Sequence, residues 1–205
     1  MGLGDKDKLM LVKQTKDCLS WDALDLSWSS IERDWYGQAM AVPASFALVT
    51  DKANLWFVAK RDQPPKVHPD AVPYEFTPGL WRYDVAELFI RDACSDRYME
   101  FNLAPNGAWW SAEFDRARDR SSTDDILIHG VKTYAAVSAG VGWQAAASIP
   151  LTYLKSAFGF GKQSAINVAF IVNSPQQAFL SKAQLPGSEP DYHQPDYFEQ
   201  IELKM

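Results

Sequence analysis

The side chains of this sequence best spaced for chemistry are three carboxylates, Asp84, Glu87 and Glu100. Asp84 and Glu87 stand at the start of a mostly apolar run, Val85 to Ile90, and Glu100 lies in the next such run, Tyr98 to Leu103. Two carboxyl groups facing one cleft could act as acid and base on a glycosidic bond, at separations of about 5–5.5 Å or about 6.5–9.5 Å. The same groups could instead accept hydroxyl hydrogens from a ligand that leaves unchanged, or pair with Arg82, Arg91 or Arg97. That second use is the one favoured here. Other chemistry is thinly represented. The three histidines, His68, His129 and His193, are scattered without a neighbour at metal-ligand spacing. A nucleophile elbow, a phosphate loop, a dinucleotide fingerprint and an HExxH motif are all missing from the sequence. Neither a metal nor a cofactor is called for.

Strand signals dominate the elements that must hold these groups. Ser45–Thr50 and Leu55–Lys60 flank Asp51-Lys52-Ala53-Asn54, which predicts a hairpin with a four-residue loop. Residues 63–79 hold five prolines and little periodicity, which predicts a long surface loop leading through Trp81 to a strand over Val85–Ile90. Tyr98–Leu103 and Trp109–Phe114 flank Pro105-Asn106-Gly107, a hairpin signal in which both Asn106 and Gly107 are expected at positive φ. Period-two alternation puts Met99, Phe101 and Leu103 toward the core and Tyr98, Glu100 and Asn102 on the opposite face. Further strands are predicted over Val131–Ser138, Trp143–Ile149, Ile166–Asn173, Leu180–Gln184 and Tyr197–Leu203. Pro150 ends one of them and opens a short helix, Leu151–Phe158. Many short strands with one helix predict an all-β fold, a sandwich of two antiparallel sheets.

Trp81-Arg82-Tyr83-Asp84-Val85-Ala86-Glu87-Leu88-Phe89-Ile90 resembles the W-x-x-D-x-x-E-x-F-[IL] signature of family 9 carbohydrate-binding modules and the related DOMON-like domains. Four other segments agree in order: Leu55–Ala59, Tyr98–Gly107, Gly142-Trp143 through Ile149-Pro150, and Asp196–Leu203. The resemblance implies a jelly-roll or immunoglobulin-like sandwich over residues 1–205, with a sugar slot near one end. It implies that Trp81 stacks on the sugar and that Glu87 takes its hydroxyls. An indole face packs on the C–H face of a sugar and a carboxylate accepts two hydroxyl hydrogens, so these roles are physically sound. Glu100, Asn102 and Asn173 are further candidates for the slot. Two departures stand out: Ala146 replaces a Glu common in the family, removing one polar group, and the second stacking Trp expected after Asn173 is missing. Phe179, Tyr192 and His193 are the aromatic replacements on offer. The related haem-binding branch holds its iron between a Met and a His or Lys. Here alternation aims Met99 at the core, where it fills space. The Trp109-Trp110 pair, of which only one ring can face the core, leaves room for a protein partner.

Bulk composition narrows the partners. A net charge of −6 and no uninterrupted basic cluster speak against nucleic acid and against an anionic membrane. Arg116, Arg118 and Arg120 are interleaved with Asp115 and Asp119, which reads as a solvated loop. Cys18 and Cys94 form no CxxC pair and are expected as reduced thiols. Met1–Lys8 lacks the apolar core of a leader, which predicts a cytoplasmic protein. The sequence therefore predicts a non-catalytic domain that binds a small molecule, a saccharide, through Trp81, Glu87, Glu100, Asn102 and Asn173.

Overall fold

Alternating apolar runs separated by turn residues build most of this chain into strands. The structure, a computed structural model, describes residues 9–204, so the reading of Met1–Lys8 lies outside the described residues. The N-terminal strands are β1 (Leu9–Gln14), β2 (Ser29–Arg33), β3 (Ala39–Thr50) and β4 (Asn54–Arg61). The predicted β3–β4 hairpin is present. Its loop is held by the Asp51 carboxylate, which accepts the N–H groups of Ala53 and Asn54 at 2.7 Å each and the Trp56 indole N–H at 3.0 Å. After the long proline-rich loop come β5 (Val85–Arg91), β6 (Tyr98–Leu103), β7 (Trp109–Arg116) and the short β8 (Asp119–Arg120). Then follow β9 (Lys132–Ser138), β10 (Gly142–Pro150), the α-helix α1 (Leu151–Phe158), β11 (Ala165–Val172), β12 (Ala178–Ser181) and β13 (Glu199–Lys204).

These strands form one curled sheet in the order β8-β7-β6-β5-β11-β13-β1-β3-β4-β10-β9, with β12 on β11 and β2 on β3. Its two halves fold onto each other to give the predicted all-β sandwich. The expectation of wholly antiparallel sheets needs one correction: β1 pairs in parallel with both β13 and β3. Its partners are distant in sequence, as parallel pairing demands a long crossover, so local turn signals could not reveal it.

The interior is filled from both halves. Phe46, Leu48, Leu55 and Phe57 come from one half, and Leu88, Ile90, Met99, Phe101, Val168 and Phe170 from the other. Each such side chain contributes about 1.5–3 kcal/mol on burial. Met99 is fully buried there, as alternation predicted. The face of β6 that alternation assigns to Tyr98, Glu100 and Asn102 is covered as well, together with the same face of β5, β7 and β11. Val85, Phe89, Tyr98, Phe114 and Ile171 form a second cluster with Leu80 from the long loop and Tyr192 and Phe198 from the chain after β12. A third cluster, on the outer face of the other half, joins Val49, Trp56, Val58 and Ala146, with Trp21 and Tyr134 packed against it. Ala146 therefore faces away from the second cluster, and the Glu it replaces removes nothing from that side.

The β6–β7 turn differs in detail from its prediction. Gly107 N–H donates to Ala104 O at 2.9 Å and Ala104 N–H to Ala108 O at 2.8 Å, and only Gly107 is at positive φ (82°). That is a type I turn closed by a left-handed glycine, which suits Pro105 at its first central position. The Asn106 side chain instead donates to Ala71 O at 2.9 Å, tying the hairpin tip to the long loop.

Candidate functional site

The carboxylates owe their position to strand register. Glu87 on β5 is paired with Asn102 on β6, and Asn102 with Trp110 on β7. Glu100 is two residues from Asn102, so Glu87, Glu100, Asn102 and Trp110 all project from one face of the sheet, the outer one. A cavity of about 470 Å³ opens over this face, a size suited to a small ligand. Glu87 and Glu100 form part of its floor beside Trp110 and Ile171. Trp81 stands at its wall on a single 3-10 turn, Leu80–Arg82, entered through Gly79 at a φ of 82°. Leu80 is buried and anchors that turn, while Trp81 is 40% exposed, its ring centroid 5.2 Å from that of Trp110.

The remaining walls come from distant parts of the chain. Phe179 of β12 and the segment Pro190–His193 line one side, and Arg118 and Arg120 another. Phe179, Tyr192 and His193, the aromatic replacements considered for a missing tryptophan, thus all reach the cavity. Arg118 and Arg120 belong to the exposed stretch the sequence indicated, and the structure adds that both line the cavity. The chain reverses between Arg116 and Asp119, with Arg118 at a φ of 60°, and so brings both arginines over the sheet. Arg118 clasps Asp191 at 2.8 and 3.2 Å, and Arg120 pairs with Asp125 at 2.9 Å while its guanidinium lies over the Trp110 ring.

Two predicted site residues fall outside the cavity lining. Asn102 is fully buried beneath it and donates to Glu100 Oε1 at 3.0 Å, acting on the floor through that bond. Asn173 is not brought to the cavity. Its backbone N–H is bound by Asp84 Oδ1 and its Oδ1 accepts from Gln177 at 3.1 Å, because β11 ends one residue earlier and the chain turns away. Asp84 is also removed from the chemistry. It is buried, accepts the Lys66 N–H at 3.2 Å, and fastens the long loop to the end of β11.

The electrostatics of the floor are unusual. Among the described residues no group donates a hydrogen bond to Glu87, which is 3% exposed. Burial raises its pKa well above the ordinary carboxylate value, and the nearby Glu100 adds to the effect. Burial likewise pushes Glu100 up to about 7, against the opposing pull of Asn102, Arg120 and Arg118. His193 is driven the other way, down to about 4, by burial and then by Arg118, outweighing the attraction of Asp191. The Trp110 indole N–H is buried without a partner. An undonated carboxyl on the floor of a cavity is a group that a polar ligand would satisfy.

The sequence matches no family model and no curated protein. Solved structures share the fold. One is a Bacteroides uniformis protein of inferred carbohydrate-binding function, 16% identical with a TM-score of 0.71, covering 96% of this chain and 99% of that one. Another is a family 9 carbohydrate-binding module from Caldicellulosiruptor kristjanssonii in complex with glucose, 16% identical with a TM-score of 0.63, covering 96% of each chain. The same organism's module in complex with cellotriose aligns at 15% identity and a TM-score of 0.64, over 96% of this chain and 94% of that one. The fold implied by the five ordered motifs is therefore the fold that this chain adopts.

Proposed function

We propose that this cavity binds a saccharide and performs no chemistry on it. The observation that carries the reading is the meeting of an exposed indole, Trp81, with a buried, undonated carboxylate, Glu87, in one cavity of about 470 Å³. A sugar presents both a C–H face for the ring and hydroxyl hydrogens for the carboxylate. The complexes of the Caldicellulosiruptor module with glucose and cellotriose support the same ligand class. Glu100, held by Asn102, is the second acceptor.

The placement of the carboxylates supports binding without turnover. Glycosidases flank the scissile bond with their two carboxyls. Glu87 and Glu100 instead rise side by side from adjacent strands of one floor. Asp84 is engaged elsewhere, and Met99 sits on the opposite face of β6, inside the sandwich.

Titration calorimetry with glucose and cellotriose tests the proposal. The protein should bind one of them, and Trp81→Ala should weaken binding by about tenfold or more while leaving the melting temperature nearly unchanged. Unchanged affinity in Trp81→Ala would discard the site. Hydrolysis of cellotriose that disappears in Glu87→Gln would instead make the protein an enzyme.

A further inference from the structure

Two acidic side chains stand on the cavity floor with no cation in contact, and this bears on which saccharide it accepts. The ionisable groups that face it come from four elements: Glu87 on β5, Glu100 on β6, Arg118 and Arg120 around β8, and Asp191, Tyr192 and His193 on the segment after β12. The arginines are spoken for. Arg118 grips Asp191 with two nitrogens, and Arg120 is paired with Asp125. His193 approaches Glu100 Oε2 at 3.6 Å, too far for a direct hydrogen bond, and its burial keeps the ring neutral. Glu87 and Glu100 are left as neighbours with no counter-ion in contact and a single hydrogen bond, from Asn102, between them.

We infer that the cavity selects a saccharide bearing a protonated primary amine, with the ammonium seated between the Glu87 and Glu100 carboxylates. The inference rests on the saccharide reading of the same cavity and names the ligand's distinguishing group. Diagonal neighbours on paired strands have Cβ atoms roughly 7 Å apart, so two glutamate side chains can converge on one nitrogen. A hydroxyl brings one hydrogen and no charge, whereas an ammonium brings three hydrogens and a positive charge that favours ionisation of the two carboxyls that burial opposes. Trp81, exposed at the wall of the same cavity, offers an indole face, and such a face also attracts cations. A divalent metal is a poorer fit. Such an ion wants about six or more oxygen ligands, and among the described residues no three His, Cys, Asp or Glu side chains gather to hold one.

Calorimetry at pH 7 with three probes tests this: the β-1,4 dimer of glucosamine, its N-acetylated form, and cellobiose. The free-amine dimer should bind about tenfold more tightly than cellobiose, and N-acetylation should erase that advantage. Glu100→Gln should bring the ratio of the free-amine and cellobiose affinities close to one. The wild-type comparison stands by itself should that variant fail to fold. Cellobiose binding as tightly as the free amine, or the acetylated dimer matching it, would overturn the inference and leave the saccharide reading intact. If none of the three probes nor glucose or cellotriose binds, both readings fall together.

Discussion

The Tyr98 hydroxyl lies 2.8 Å from His193 Nδ1 and accepts the Arg118 backbone N–H at 3.1 Å. A hydroxyl that already accepts from an amide has its own hydrogen to give, and the buried neutral imidazole takes it on Nδ1. The remaining ring hydrogen is then on Nε2, the nitrogen that faces Glu100. Through this chain the turn carrying Arg118, the segment carrying His193 and the cavity floor are joined, although no two of them are close in sequence.

Opposite shifts at Glu100 and His193 make stability depend on pH in a way that mutation can separate. Glu100 is raised from 4.5 to about 7, so between those values the folded protein keeps a proton that the unfolded chain has released, and stability falls as pH rises. Glu87 acts in the same direction. His193 is lowered from 6.5 to about 4, so between those values the unfolded chain holds the extra proton, and stability rises with pH. The two effects oppose each other across roughly pH 4.5–6.5. Glu100→Gln should therefore gain stability relative to the wild type as pH is raised from 4.5 to 7, and His193→Gln should lose it from 4 to 6.5. Urea denaturation midpoints across this range measure both; curves parallel to the wild type would refute the assignment.

Gly107 supports a second prediction, about the long loop. Its φ of 82° disfavours any side chain, and a Cβ there would come within 2.7 Å of Tyr74 Cδ1. Tyr74 is itself at a φ of 69°, so the loop has little freedom to withdraw. Gly107→Ala should cost about 2 kcal/mol, lowering the melting temperature by about 4–8 °C in a chain of this size. Asn106→Ala loses one bond to the loop and one to Ala108, and should cost about 1 kcal/mol. Equal melting temperatures for Gly107→Ala and the wild type would show that the loop yields freely.

Much of the architecture was legible because it is local. Alternation correctly assigned the two faces of β6, and with them the shared face of Glu100 and Asn102. Pro150 and the following apolar spacing marked α1 to the residue. The site was legible where one motif carried it, bringing Trp81 and Glu87 to the same cavity. What failed was non-local. Nothing near Asn173 announces that Asp84 captures its backbone. Nothing in the sequence near Arg118 or Pro190 announces that both fold over β6. Ala146 was weighed as a loss from the site, and only the sheet order shows that it lies on the far layer.

Asp84 yields the last prediction, since it bears on the cavity without touching it. Its carboxylate accepts the backbone N–H groups of Lys66 and Asn173, and so pins the long loop and the end of β11 to the start of β5. It is also the countercharge to Arg61, which is 2% exposed and donates to Ser174 O at 2.6 Å and Val42 O at 3.3 Å. Asp84→Ala would leave two buried amides without an acceptor and remove the negative charge nearest Arg61, a loss of about 2–4 kcal/mol. Trp81 lies three residues before Asp84, on the segment released, so saccharide affinity should fall as well. This separates Asp84 from Trp81, whose replacement should affect binding alone. Asp84→Asn, which keeps an acceptor oxygen but not the charge, should recover part of the stability. Chemical denaturation and calorimetry on the same preparations decide the matter: an Asp84→Ala protein as stable as the wild type would show that the loop is held by its other contacts.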